Sequence, residues 1–423
     1  MMKVLIVNTS ERTGGAAVAA NRLKDALNNN GIEANMLVRD KLSDDTTVFT
    51  IKNGWRTQWN KLWERWCIFW HLHFSKRNLF AIDIANAGTD ITQLQAFKDA
   101  DVVHLAWINQ GMLSLKGIEK ILKTGKPLVW TMHDIWPATA VCHITLDCRQ
   151  FETQCKDCRL LPSGIGRNLA RRTWKRKKAI EGRSHIIYIT CSKWLQGEAK
   201  RSTLIGQNPI ECIPNPIDTS VFCKADKAEA RRKLGLPTDK RLILFASQRV
   251  TNQNKGMSYL VDACRKMLEQ HPETLANTAV VVLGGHAEDL RENFDLPMFP
   301  LGYVSDIQQI VDVYNAIDVF VLPSLSDNLP NTIMEAMSCG VPCVGFEVGG
   351  IPEMIDHEHN GYVVRMKDSA DLAYGINWVL NIADYGKLSA NAVEKVKQCY
   401  SQMRVAMQYI DIYKRAVAYS KNK

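Results

Sequence analysis

The chain repeats one phrase: an uninterrupted apolar run, a short polar or glycine-bearing loop, then a stretch with apolar residues at helical spacing. In the first half the runs fall at 3–8, 34–38, 102–105, 128–132 and 186–190, with helical stretches at 16–28, 115–123 and 167–180 and a tryptophan-rich one between. In the second half they fall at 242–246, 279–283, 319–322 and 342–346, with helices predicted over 257–269, 307–315 and 332–338. Strands that are apolar throughout are those covered on both faces, as in parallel sheets. Strand and helix in alternation give an α/β fold. A length of 423 residues allows two or three domains, each with its own core. The sequence ECIPNPID at 211–218 holds Pro214 and Pro216 around Asn215 and is the expected hinge. The predicted division is 1–213, 214–395 and a C-terminal helix over 396–423, because polar and apolar residues recur at helical spacing to the end.

Residues 318–346, DVFVLPSLSDNLPNTIMEAMSCGVPCVGF, carry the most chemistry. They read as strand, loop, helix, strand. Asp327 falls in the loop and Glu335 early in the helix, both near the carboxyl edge of a parallel sheet, where open α/β sheets bind ligands. By spacing alone, the glutamate would do no more than offset a helix dipole. The whole stretch, however, resembles the donor-binding signature of retaining family-4 glycosyltransferases with the GT-B fold. That signature has two acids with seven residues between them, then Ala-Met-x-x-Gly-x-Pro. Here these are Asp327, Glu335, Ala336, Met337, Gly340 and Pro342, with Asp327 where the family usually has Glu.

The resemblance implies two Rossmann-like domains facing a central cleft, with the C-terminal helix crossing back to the first. The first domain would take the acceptor and the second the nucleotide-sugar donor. Glu335 would hold the ribose hydroxyls, Asn331 and Thr332 would offer helix-start amides to the phosphates, and Asp327 would reach the donor sugar. SQRVTNQNKG (247–256) places Arg249 and Lys255 before a helix start. Two cations there suit a diphosphate and stabilise a leaving group without a metal. They resemble the family's Arg…Lys-Gly element, with one residue more between them. LGG at 283–285, ending in Gly285, suggests a close backbone approach, and Tyr303–Val304 resembles the loop that contacts the base.

In the first half, Gly14 and Gly15 open the first helix after the first strand, an arrangement that frees amides for an anion and matches the family's glycine-rich loop. His133, at the end of the 128–132 strand, resembles the family's histidine near donor sugar and acceptor. An imidazole there can donate a hydrogen bond or move a proton near neutral pH. The catalytic set implied is Arg249, Lys255, His133 and Asp327, with no catalytic cofactor.

Three features lie outside that set. Cys142, Cys148, Cys155 and Cys158 put four thiols in the 142–158 segment, the count of a tetrahedral structural zinc site; free thiols ordering a loop are the alternative. Trp55, Trp59, Trp63, Trp66 and Trp70 recur at steps of four, four, three and four within 55–74, one face of a helix. That face is either core or, with nearby Arg56, Lys61, Arg65 and Lys76, a membrane interface. From Arg159 to Arg183, nine Lys or Arg stand against one acid, Glu181, within a chain of net charge +9. Such a run implies a polyanionic partner or a solvated helix face.

No apolar run approaches the ~18 residues that span a bilayer. The N-terminus is too polar beyond Val7 for a signal peptide, so the expected compartment is the cytoplasm, with peripheral attachment at the inner face of the membrane as an option. The expected function is retaining sugar transfer to a saccharide or polyprenyl-linked acceptor in surface polysaccharide (capsule or exopolysaccharide) assembly. That pathway is suggested by a family subset with a similar Cys-rich insert. The expected partners are the nucleotide-sugar donor, that acceptor and an anionic membrane surface, not nucleic acid. The rivals are a non-catalytic membrane- or nucleic-acid-binding protein and a GT-B nucleotide-sugar epimerase.

Overall fold

The computed structural model describes residues 1–51, 54–162, 165–181 and 185–421. The chain divides into a first compact unit, Met1–Pro216 with Val405–Lys423, and a second, Ile217–Arg404.

In the first unit seven strands form one sheet: β1 (Lys3–Ser10), β2 (Glu33–Asp40), β3 (Val48–Thr50), β4 (Val102–Leu105), β5 (Leu128–Met132), β6 (Ile187–Thr190) and β7 (Ile210–Cys212). Their order is β3-β2-β1-β4-β5-β6-β7, and every ladder is parallel. Side chains alternate across a strand, and the two faces build separate cores. Leu5, Val7, Leu105, Trp130 and Tyr188 pack on one side. Val4, Ile6, Val129 and Ile189 pack on the other. The second face is covered by the helix Gly15–Asn28, through Ala20, Leu23 and Leu27, and by the last helix, Gln402–Lys421, through Val405, Tyr409 and Tyr413. Two buried hydroxyls fix that last helix: Tyr413 lies 2.7 Å from His104 Nδ1 and Tyr409 2.9 Å from Thr131.

The tail differs from the single helix expected. Ser401 separates Tyr385–Tyr400 from Gln402–Lys421. The first of these stays with the second unit, where Leu388 joins its core, so the return begins at Val405 rather than 396. The earlier boundary falls after Pro216 rather than 213, inside the proline segment.

The second unit has six strands: β8 (Arg241–Arg249), β9 (Thr278–Gly285), β10 (Met298–Gly302), β11 (Val319–Leu322), β12 (Cys343–Phe346) and β13 (Gly361–Val364). The order is β10-β9-β8-β11-β12-β13, again all parallel. Ile243, Phe245, Val280, Val282, Val319, Val321 and Val344 meet Leu260, Cys264 and Met267 of the helix Met257–Gln270. In each sheet the strand order reverses once, between β1 and β4 and between β8 and β11. At such a switch point neighbouring loops leave in opposite directions and open a crevice at the carboxyl ends.

Candidate functional site

The second unit gathers its polar residues at that reversal. Arg249 is the last residue of β8 and is exposed. It lines an open pocket with Thr251, Asn252, Gln253 and Asn254. The chain then folds into a short turn, Gln253–Lys255, in which the Asn252 side chain accepts from the Asn254 amide at 3.1 Å.

Lys255 and Asp327, assigned separate tasks from the sequence, are paired: Nζ to Oδ2 is 2.8 Å, with both side chains largely buried. An anionic ligand would therefore compete with Asp327 for Lys255. Glu335 lies in the helix Asn331–Ser338 and is buried, with Oε2 accepting the Tyr314 hydroxyl at 2.8 Å. Asn331 and Thr332 begin that helix behind Pro330, which provides no side-chain cap. The Ile333 amide in its first turn donates to the Pro330 carbonyl at 3.2 Å.

Glycines let these loops close on one another. Gly256 has φ +74°, and a Cβ there would stand 1.8 Å from the Pro323 carbonyl oxygen. A Cβ on Gly349, at φ +58°, would meet the Asp327 carbonyl oxygen at 1.7 Å. The Leu325 amide donates to the Asn254 carbonyl at 2.8 Å, joining the loops after β8 and β11. At the end of β9, the close approach falls on Gly284 rather than Gly285: a Cβ at 284 would be 1.8 Å from the Ser247 carbonyl oxygen, whereas one at 285 finds only Gln248 O at 3.4 Å. Gly285 itself pairs with Arg249 in the ladder. Tyr303 and Val304 follow the edge strand β10, and Tyr303 is exposed, two strands away from β8.

Gly284 lies within the LGG segment expected to make a close approach, whereas Tyr314 and Gly349 were not anticipated. Tyr314 looked like one more apolar-face residue of its helix. Gly349, in a Gly-Gly pair just past a strand, did carry a signal.

In the first unit Gly14, at φ +93°, precedes the helix Gly15–Asn28 and leaves its start without a side-chain cap. His133 follows β5, with Nδ1 3.6 Å from Cys191 Sγ. Burial pushes its imidazole down to about 4, against the pull of Asp134. With that shift the neutral ring predominates at neutral pH and can donate or accept a hydrogen bond.

Asp134 belongs to an internal chain of polar groups. It accepts from Trp107 Nε1 at 2.8 Å and from the Trp136 amide at 2.8 Å, and contacts His143 Nδ1 at 2.7 Å. His143 Nε2 reaches Asp83 at 2.6 Å, and Asp83 pairs with Arg65. Desolvation would raise the Asp134 carboxyl, but His143, Trp136 and Trp107 together hold it below its ordinary value. These partners are scattered from 65 to 143, so no local pattern announced them.

Two sequence matches cover most of the chain. Residues 13–221 match the family described as Glycosyltransferase Family 4, and residues 240–381 match Glycosyl transferases group 1. The chain belongs to the family-4 glycosyltransferases. An uncharacterized glycosyltransferase of Methanocaldococcus jannaschii is 32% identical over 54% of this chain and 60% of its own length. A D-inositol 3-phosphate glycosyltransferase of Saccharomonospora viridis is 28% identical over 49% of this chain and 51% of its own. The chain thus spans only half to three-fifths of these relatives' length. Anabaena HepE, solved with UDP and glucose, superposes with a TM-score of 0.65 at 17% identity, covering 98% of this chain and 100% of that one. That likeness shows the GT-B fold: two Rossmann-like parallel sheets, of seven and six strands.

In this family-4 chain the zinc expected of the cysteine segment finds no ligand cluster. Among the described residues no group of three or more His, Cys, Asp or Glu could hold a metal ion. All four cysteines are free thiols. Cys142, Cys155 and Cys158 pack against one small core, where Cys142 also sits in an isolated bridge with Ile82. Desolvation pushes the Cys142 thiol up to about 12 and Cys155 to about 11, and the thiols reinforce one another's shift.

The basic run is divided. Arg171, Arg172, Lys175, Arg176 and Lys178 are exposed on the helix Ile165–Glu181, while Lys177 is buried. Its Nζ donates to the Trp136 and Thr139 carbonyls at 2.6 and 2.9 Å, 3.2 Å above the Trp136 ring. Arg183 lies outside the described residues, as does the side chain of Arg167.

Proposed function

We propose that this protein transfers a sugar from a nucleotide-sugar donor to a saccharide or polyprenyl-linked acceptor, with retention of anomeric configuration, in surface polysaccharide assembly. One observation carries the donor part. Arg249 at the end of β8, Lys255 paired with Asp327, and Glu335 in the helix that follows β11 all belong to the segments that leave the two strands flanking the reversal. HepE, of the same fold, binds UDP and glucose, and the matched relatives are named as glycosyltransferases.

On this reading Glu335, oriented by Tyr314, accepts from the ribose hydroxyls. The diphosphate takes the Arg249 guanidinium, the Lys255 ammonium and the helix-start amides of Asn331 and Thr332. Releasing Lys255 frees Asp327 for hydroxyls of the donor sugar. As the anomeric C–O bond breaks, its electron pair moves onto the diphosphate, where the two cations stabilise it. The acceptor hydroxyl attacks from the same face and gives its proton to the departing phosphate. Neutral His133 serves as a hydrogen-bond partner for a sugar oxygen.

Screening sugar nucleotides by thermal shift identifies the donor, since ligand that binds only the folded state raises the melting temperature. Glu335→Ala should weaken that rise, and Arg249→Ala with Lys255→Ala should abolish turnover. Wild-type rates in the double variant would overturn the assignment. Product formed without any acceptor would favour the epimerase.

A further inference from the structure

The aromatic helix Gly54–His71 is turned inside out. An amphipathic surface helix normally lays its apolar stripe on the core. Here the buried positions include Thr57, Glu64 and Arg65 as well as Ile68. The Glu64 carboxylate accepts the amides of Ile84 and Ala85 at 3.1 and 2.6 Å. Arg65 donates to the Leu79 carbonyl at 2.6 Å and pairs with Asp83. The indoles point outward: Trp55, Trp59, Trp63, Trp66 and Trp70 are 47–72% exposed, with Phe74 and Phe80 beside them. The tryptophan stripe is therefore not core. Rolling the helix to bury it would carry Glu64 and Arg65 into solvent and take from the buried Asp83 carboxylate and the Ile84 and Ala85 amides the partners they have now.

The neighbouring helix, Ile165–Glu181, packs over the same small core, where Ile68 and Leu72 meet Ala170 and Leu161. Its outward residues include the five cations Arg171, Arg172, Lys175, Arg176 and Lys178. Neither helix exposes an acid: Glu64 is buried, and Glu181 is half-buried and accepts the Tyr188 hydroxyl at 2.7 Å. Arg56, Lys76 and Arg77 add exposed positive charge around the indoles.

A contiguous apolar face of this kind marks a contact surface. Its charge selects the occupant. Indoles beside Lys and Arg match the boundary between headgroups and acyl chains, and each cation near an anionic leaflet adds attraction. A second copy of this chain would bring like-charged helices together. We propose that the aromatic and basic helices together dock the first unit onto an anionic lipid surface.

The test is flotation with vesicles of phosphatidylcholine mixed with phosphatidylglycerol, and with phosphatidylcholine alone. Neither contains a sugar lipid, so the result is independent of the sugar-transfer reading. The wild-type protein should float with the anionic vesicles and shift its tryptophan emission to the blue. Salt at roughly 1 M, where screening shortens to about 3 Å, should reduce the preference for phosphatidylglycerol. The triple variant Trp59→Ser, Trp63→Ser, Trp66→Ser should partition at least about tenfold less per indole removed. Because these side chains are exposed, its melting temperature should stay at the wild-type value. Replacing Arg171, Arg172, Lys175 and Arg176 by Gln should erase the preference for phosphatidylglycerol. Wild-type protein that ignores both vesicles, a triple variant that floats unchanged, or a tryptophan-dependent dimer without lipid would overturn the proposal.

Discussion

Replacing Gly256 with alanine tests whether the loop closure around Lys255 is a steric requirement. The left-handed backbone alone costs an L-residue about 1–2 kcal/mol. At Gly256 the new Cβ would also stand 1.8 Å from the Pro323 carbonyl oxygen, whereas real contacts essentially never fall below 3.0 Å. Backbone must move, and overpacking of that kind adds about 1–3 kcal/mol. Gly235 supplies the control within the same unit: it too is left-handed, at φ +64°, but nothing lies within 4 Å of its Cβ position. With about 2–4 °C lost per kcal/mol in a unit of this size, Gly235→Ala should melt roughly 2–8 °C below wild type. Gly256→Ala should melt a further few degrees lower, about 2–12 °C by the same conversion. It should also lose most of the donor-induced thermal shift, because Lys255 and Asp327 are displaced with the loop, while Gly235→Ala keeps that shift. Calorimetry with and without the sugar nucleotide reads both effects. Equal melting temperatures for the two variants, or an undiminished donor shift in Gly256→Ala, would refute the reasoning.

Four more outcomes are expected. Tyr314→Phe should lower donor affinity about five- to tenfold, as loss of one hydrogen bond of about 1 kcal/mol to a buried carboxylate requires; isothermal titration measures it, and unchanged affinity would detach Tyr314 from Glu335. Lys177 is pushed down to about 7 from 10.5 by burial, so between those values the unfolded chain binds the extra proton and stability rises with pH. Lys177→Met should remove that slope, worth on the order of 2–4 kcal/mol, in denaturant titrations across the window. His133→Gln should leave the shape of the pH–rate profile near neutrality unchanged, since burial holds the ring neutral there; a lost inflection would assign His133 the proton-carrier role. Dialysis against a chelator should not shift the melting temperature, and a drop of more than about 5 °C would show that the thiols hold a metal after all.

The interior of each sheet was legible because its strands are buried on both faces and so must be apolar throughout. The strands not anticipated, β3, β7, β10 and β13, are the four edge strands of the two sheets. An edge strand has one neighbour and partial exposure, as in Val48–Thr50 and Met298–Gly302, so selection for a continuous apolar run is relaxed. The acidic pair, the two cations and the helix-start residues were likewise legible, because they lie within short segments that the fold carries intact to one sheet edge.

Local sequence by itself therefore determined the alternation of strand and helix, the parallel sheets and which residues are candidates for the proposed donor site. Tertiary structure decided which of those residues are free to act. It paired Lys255 with Asp327, set Tyr314 on Glu335, neutralised His133 by burial and took Lys177 out of the basic face. It also turned the tryptophans outward, because Glu64 and Arg65 claim the inward side of their helix. The reason is range: strand and helix patterns are fixed by neighbours a few residues apart, whereas burial, pairing and helix rotation depend on groups such as Asp83, Asp134 and His143, which only folding brings together.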